Sequence, residues 1–146
     1  MSRRPVDRAF STPAGTTVAL GALVDMALAE VDLTPLLYRT LAFCAWQPVT
    51  PSEIAGWRAV PKQVVSRPLN VLVERDLLRR EPDPADRRRI VHTVTPEGAK
   101  LLARADKTIA AYLDVVIDTL PVTKAKGVRR ALEDLGTAFD HLYFET

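Results

Sequence analysis

The sequence predicts a mainly α-helical domain carrying one small β-hairpin, and three observations predict it. Threonine–proline pairs recur at Thr34-Pro35, Thr50-Pro51 and Thr95-Pro96. Apolar residues return at steps of three and four through most of the chain, the signature of helices with one buried face. Residues 78–95 break that rhythm with two β-compatible runs around a charged, turn-rich middle.

Each element has a local reason. A threonine oxygen can accept an orphan N–H at a helix start, and proline in the first helical position gives up only a donor that has no partner there. The earliest helix is predicted from about residue 16, on the spacing of Leu20, Leu23, Val24, Ala27, Leu28 and Val31. A second runs from Pro35 to about Trp46, with Leu37, Leu41 and Cys44 on one face. The third is short, from Pro51 to about Trp57, and Thr50-Pro51-Ser52-Glu53 gives it a capping box, because Glu53 can reach back to the N–H of Thr50. Val60-Pro61 opens a fourth helix from Lys62 to about Asp76, with Val64, Val65, Leu69, Leu72 and Val73 on its buried side. Leu78-Arg79-Arg80-Glu81 and Ile90-Val91-His92-Thr93-Val94 form the hairpin, joined by Pro82-Asp83-Pro84-Ala85-Asp86-Arg87-Arg88-Arg89. Two long helices finish the chain. The first carries Leu102, Ala105, Ile109, Tyr112 and Val116, and the second, from about Thr123, carries Ala125, Val128, Leu132, Leu135, Phe139 and Leu142. That alternation of three and four is a seam for another helix. Too little chain remains to cover it, so a homodimer is expected, with Leu20, Val24, Val128, Leu132, Leu135, Phe139 and Leu142 between subunits.

Composition narrows the function. With 146 residues, 47% hydrophobic and 26% charged, the chain fits one globular domain and is neither disordered nor collagen-like. No apolar run approaches the ~18–20 residues that span a bilayer, and Met1-Ser2-Arg3-Arg4-Pro5 is not followed by an apolar stretch. No membrane partner and no signal peptide are expected, and the protein is expected in the cytoplasm. One cysteine and two distant histidines offer no metal-ligand spacing, so no metal and no cofactor are expected. No nucleophile–base pair or phosphate-cradling glycine loop is present in the sequence, so no catalytic residue is assigned and no enzyme is expected. The formal charge of +2 hides an asymmetry. Residues 58–104 hold eleven basic residues against six acidic, while the rest of the chain holds nine against twelve. A basic middle flanked by acidic segments suits a polyanion.

A short capped helix followed by a second helix across a tight turn is a helix-turn-helix, whose second helix enters the DNA major groove by its leading residues. The candidates there are Lys62, Gln63, Ser66, Arg67 and Asn70, with Ser52 on the preceding helix. Gln and Asn grip adenine, Arg and Lys grip guanine, and Ser serves a base or a phosphate. The hairpin is then a wing, whose Arg87, Arg88 and Arg89 suit the narrow, negative minor groove.

These residues resemble the multiple-antibiotic-resistance regulators, the MarR family. The likeness is strongest between Leu33 and Leu102. It rests on Pro51-Ser52-Glu53-Ile54-Ala55, Val64-Val65-Ser66-Arg67-Pro68-Leu69, Leu77-Leu78-Arg79-Arg80, the wing signature Asp83-Pro84-Ala85-Asp86-Arg87-Arg88, and Val94-Thr95-Pro96-Glu97-Gly98. The resemblance implies a homodimeric winged helix-turn-helix. Its DNA-binding lobe would be residues 34–95 and its interlocking dimerisation helices residues 14–33 and 96–146, all one domain over 1–146. It further implies a regulator, most simply a repressor, on a palindromic double-stranded operator, with Asp86 bracing the wing through an arginine and Arg87 or Arg88 in the minor groove. It also implies a small aromatic or lipophilic effector, for which Tyr38, Arg39, Trp46 and His92 are the candidate pocket residues. The competing reading is a dimeric winged-helix module that binds protein instead of an operator. Three departures stand out: Pro68 inside the recognition helix, expected to bend it; Asp76 where the family has glycine, so in left-handed geometry; and Arg58 in place of an apolar anchor, a space Trp57 is expected to fill. Cys44, between Phe43 and Ala45, reads as a packed residue rather than a redox sensor.

Overall fold

The computed structural model describes residues 10–144. Among them, six helices and one antiparallel hairpin follow in the order α1 (Pro13–Ala29), α2 (Pro35–Trp46), α3 (Pro51–Trp57), α4 (Lys62–Glu74), β1 (Leu78–Pro82), β2 (Ile90–Val94), α5 (Pro96–Ile117) and α6 (Val122–Phe144). The threonine–proline starts hold: Thr34, Thr50 and Thr95 each accept a backbone N–H from the first turn of α2, α3 and α5. Thr12-Pro13 does the same for α1, so that helix starts three residues before the expected Thr16. Its opening turns are largely exposed and carry little apolar periodicity, so only the cap announces them.

Three helix ends turn through left-handed residues, Asp32 (φ 55°), Ala59 (φ 49°) and Asp76 (φ 56°). Each is closed by the same pair of backbone bonds. After α4, the N–H of Asp76 donates to Val73 O at 3.0 Å and that of Leu77 to Leu72 O at 2.9 Å, the Schellman pattern. Asp76 therefore takes the geometry expected where glycine is usual. Pro68 does not break α4, which runs as one helix from Lys62 to Glu74. The N–H it lacks would have met the carbonyl of Val64, a residue on the exposed side, and Pro68 itself is buried in the core face. Val64, expected on the buried side, is 44% exposed.

The main core joins Leu41 and Cys44 of α2, Ile54 of α3, Val65, Leu69 and Leu72 of α4, and Leu78 of β1. Trp57 packs against this cluster and against Phe43 and Trp46, with ring centroids 5.8 and 6.3 Å away, so it fills the space where Arg58 offers no anchor. A second cluster, Leu28, Val31, Leu33 and Ala105, seats α1 on α5, with Val24 packed against it. Polar ties join α5 to α2 and to the end of α1, and the end of α4 to the turn after α1. The Tyr38 hydroxyl donates to Asp106 at 2.6 Å, Tyr112 donates to Glu30, and the Arg75 guanidinium donates to the carbonyl of Asp32 at 2.8 Å.

The first turn of α5 lies directly on the end of α4. Gly98 is buried, and a methyl group there would overlap the carbonyl oxygen of Leu77 and stand 2.9 Å from Val94 Cγ2. The obstacle is backbone, which cannot rotate away. Gly98→Ala is expected to cost about 3 kcal/mol, the upper end for overpacking, seen as a Tm lowered by several degrees in a thermal melt. An unchanged Tm would contradict this packing.

Candidate nucleic-acid interface

The capping box of α3 is complete: Thr50 Oγ1 accepts the N–H of Glu53 at 3.2 Å, and the Thr50 N–H donates to Glu53 Oε2 at 2.7 Å. The turn after α3 closes through Ala59, and Pro61 precedes α4 with no side-chain cap. The leading N–H groups of α4 are thereby left for solvent or a polyanion. On α4, Lys62, Gln63, Arg67 and Asn70 are exposed, opposite the buried Val65, Leu69 and Leu72. Ser66 is half-buried and its hydroxyl donates to the carbonyl of Lys62 at 3.1 Å. Asn70 is also engaged, since its Oδ1 accepts from the Arg80 guanidinium of β1. Its amide nitrogen is what remains for a base edge, so Asn70 tethers the wing as much as it presents to solvent.

The wing pairs Leu78 with Val94 through Pro82 with Ile90. Its tip is held by short-range bonds: the Asp83 N–H donates to Arg89 O and the Arg89 N–H to Asp86 O, both at 2.9 Å. Asp86 Oδ1 accepts the backbone N–H of Arg88 at 3.1 Å, and Asp83 Oδ1 that of Ala85 at 2.9 Å. Asp86 thus stabilises the tip through the backbone; it lies in no ion pair among the described residues, contrary to the bracing arginine contact expected of it. Arg87 and Arg88 are exposed at the tip, with no carboxylate partner among the described residues. Arg89 differs. Its guanidinium meets Glu53 Oε1 at 2.6 Å and approaches Asp83 at 3.7 Å, so it is committed to carboxylates and not free as expected.

Ser52, Glu53, Lys62, Arg80, Arg89 and His92 line one cleft of about 620 Å³ between the helix-turn-helix and the wing base. The start of α4 and the neck of the wing therefore open onto the same space. Two effects shape its electrostatics. Burial works to raise the Glu53 pKa, but hydrogen bonds from Thr50 and Arg89 outweigh it and hold the carboxyl below its ordinary value. His92 is 4% exposed, and burial, then the Arg80 charge, push its pKa down, so it is a neutral residue at the cleft floor. Its backbone bridges to Val49, tying the hairpin to the α2–α3 connection.

A second cavity, about 310 Å³, brings together three of the four expected pocket residues, Tyr38, Arg39 and Trp46, with Ala42, Phe43 and Asp140. His92, the fourth, lies in the first cleft, because β2 carries it beneath α3 and away from this face of α2. Tyr38 is kept protonated by burial and by its bond to Asp106. Arg58, near enough for the Arg39 charge to lower its pKa after burial does, has Nη1 buried without a hydrogen-bond partner. Cys44 is 2% exposed and burial pushes its thiol up to about 12, the chemistry of a packed residue.

Along α1, α5 and α6, apolar side chains face outward. Leu135 and Leu142 of α6, Val115 and Val116 of α5, and Val18 and Met26 of α1 are all more than half exposed. Of the expected seam, Val128, Leu135, Phe139 and Leu142 are exposed while Leu20, Val24 and Leu132 are half-buried within the protomer. Val116 was singled out by spacing on its helix, whereas Val18, Met26 and Val115 were not. Neither were Arg80 and Asp83 as site-organising residues, since their partners are remote or local side chains that periodicity does not reveal. Among the described residues no group of His, Cys, Asp and Glu could hold a metal ion, and no helix is long and apolar enough to cross a membrane.

A capped short helix, a tight turn, an exposed second helix and a basic hairpin on its flank define a winged helix-turn-helix. Within it, residues 31–89 match the model of the MarR family. Similar solved structures include a transcriptional regulator (MarR family) from Rhodococcus sp. RHA1, at TM-score 0.68 and 22% identity, covering 99% of each chain. Wild-type MarR from E. coli in its apo form superposes at TM-score 0.72 with 18% identity, over 92% of this chain and 98% of that one. CouR from Rhodococcus jostii RHA1, bound to p-coumaroyl-CoA, gives TM-score 0.66 and 23% identity over 96% and 98%. At these identities the likeness is one of fold. No curated protein sequence matches the chain.

Proposed function

We propose that the protein is a homodimeric repressor that binds a palindromic double-stranded DNA operator in the cytoplasm. The observation that carries this reading is the shared cleft: the leading residues of α4 and the neck of a wing tipped by Arg87 and Arg88 open on one side. Gln63 and Arg67, one helical turn apart and exposed, are the base-reading pair, and Lys62 and Ser52 meet phosphate. Residues 34–95 form the DNA-binding lobe, and residues 14–33 and 96–146 the dimerisation arms. The outward apolar side chains of α1, α5 and α6 support the dimer, since a surface patch of this kind on a small domain is usually covered by a partner. Two-fold symmetry then sets two half-sites about one helical turn, ~34 Å, apart.

The Tyr38–Arg39–Trp46 cavity is the effector site in this account. Its walls are largely aromatic, and Arg39 among them favours an acidic group on an aromatic or lipophilic body. Such a ligand would sit beside α2, which packs against both lobe and arm, and would shift whichever lobe spacing it prefers.

The experiment is a fluorescence-polarisation titration of random and selected duplexes at several salt concentrations. A steep salt dependence with a preferred sequence is expected. Gln63→Ala and Arg67→Ala are each expected to lose about 1–3 kcal/mol on the selected duplex and much less on random DNA. Flat salt dependence without sequence preference would favour a protein-binding module instead.

A further inference from the structure

We infer that Arg89 does not contact DNA: by gripping Glu53 it positions the wing, fixing the angle at which Arg87 and Arg88 are presented. This rests on the DNA-binding reading above. Three bonds converge on the Glu53 carboxylate. Oε1 accepts Arg89 Nη2 at 2.6 Å, while Oε2 accepts the Thr50 N–H at 2.7 Å and the Thr50 hydroxyl at 2.8 Å. One side chain therefore caps α3 and anchors a residue 36 positions later. At the other end, the Arg89 backbone is fixed in the hairpin neck, donating to Asp86 and accepting from Asp83. The Asp83 carboxylate stands 3.7 Å from Nε and also holds the Ala85 N–H. Wing tip, wing neck and the first helix of the helix-turn-helix thus become one connected unit.

Charge counting favours positioning over contact. Arg89 faces two carboxylates, Glu53 and Asp83, so its guanidinium is already neutralised, whereas Arg87 and Arg88 at the tip have no such partners among the described residues. A phosphate approaching Arg89 would also meet the Glu53 and Asp83 carboxylates beside its guanidinium, an unfavourable neighbourhood for a second anion. The Arg80–Asn70 bond makes a parallel tie from β1 to α4, so the wing is held at two points along its length.

The two roles predict opposite signs for one substitution. Glu53→Gln keeps an oxygen for the Thr50 cap but removes the charge that holds Arg89. A positioning role predicts that Glu53→Gln and Arg89→Gln each weaken binding to a duplex selected by the wild-type protein by about tenfold. The salt slope stays unchanged, and the double variant is no worse than either single one. A contact role predicts the reverse: Arg89→Gln lowers the salt slope by about 1 per subunit, and Glu53→Gln tightens binding by freeing the arginine. That pattern would overturn the proposal.

A DNA-free arm keeps the result independent of the functional reading. In hydrogen exchange, the Asp83 and Arg89 amides are expected to exchange several-fold faster in Glu53→Gln than in wild type, with α5 amides unaffected. Unchanged wing exchange would also overturn the clamp. If wild type selects no duplex while the exchange effect is present, the clamp stands and the operator-binding reading falls.

Discussion

Leu135→Asp is expected to split the protein into monomers and to lower affinity for a two-half-site duplex by about 10²–10⁴-fold, the range lost when two linked binding events become separate. Leu135 is 55% exposed in the protomer, so the aspartate meets water in the monomer and costs little folding stability. In a dimer the same charge would be buried against an apolar partner, where it has no compensation. The α6 helix is suited to this role because its own protomer covers so little of it. Its firm attachment is at the corner, where Arg129 pairs with Asp114 and, at 2.7 Å, with Asp118. Beyond that corner Leu135 and Leu142 point outward, and α1 and α5 offer a matching apolar groove of about 520 Å³ lined by Leu23, Met26, Val115 and Val116. Light scattering reads the outcome directly, as 16.1 kDa in the variant against twice that in wild type. An unchanged mass would remove α6 from the seam.

Replacing Arg87 and Arg88 together by alanine is expected to weaken binding to every duplex, selected or random, by about 10²–10³-fold at physiological salt, with the salt slope reduced by about 1 for each guanidinium that met the DNA backbone. The non-selective character follows from what the wing offers. Its two free guanidiniums sit on a short turn organised by Asp83 and Asp86, carry charge rather than a shaped donor–acceptor edge, and suit a groove recognised by its width and potential. The contrast with Gln63→Ala and Arg67→Ala is the informative part. Those lie on a helix face and are expected to change which sequence is preferred, while the wing changes how tightly any sequence is held. A salt slope unaltered by the double substitution would take the wing away from the DNA.

What the sequence revealed, and what it hid, follows the range of the interactions involved. Helix starts were legible because a threonine cap and a following proline act within four residues, and the left-handed turn at Asp76 was legible because only a few residue types tolerate it. The same logic applied to Thr12-Pro13, but apolar periodicity begins later in α1 and drew the expected start inward. Pro68 shows tertiary context overriding local cost: the missing bond falls on the solvent-facing Val64, while the ring fills the core. The site was legible as a patch but not as a network. Spacing placed Arg89 beside Arg87 and Arg88, yet Glu53 claims it from 36 residues away; Asn70 matches a base-reading position, yet Arg80 reaches it from the next element. His92 was assigned to the wrong cavity for the same reason, since its place depends on a strand bridging to Val49.

On each subunit of the proposed two-fold dimer, α4 and the wing tip are expected to form one DNA-facing surface. Hydroxyl-radical and methylation-interference footprinting of the selected duplex tests it most directly. The expected pattern is a protected major groove in each half-site, flanked on its outer edge by a protected minor groove, the two halves repeating symmetrically about one helical turn apart. Protection confined to one groove, or a single footprint without a symmetry-related mate, would contradict it.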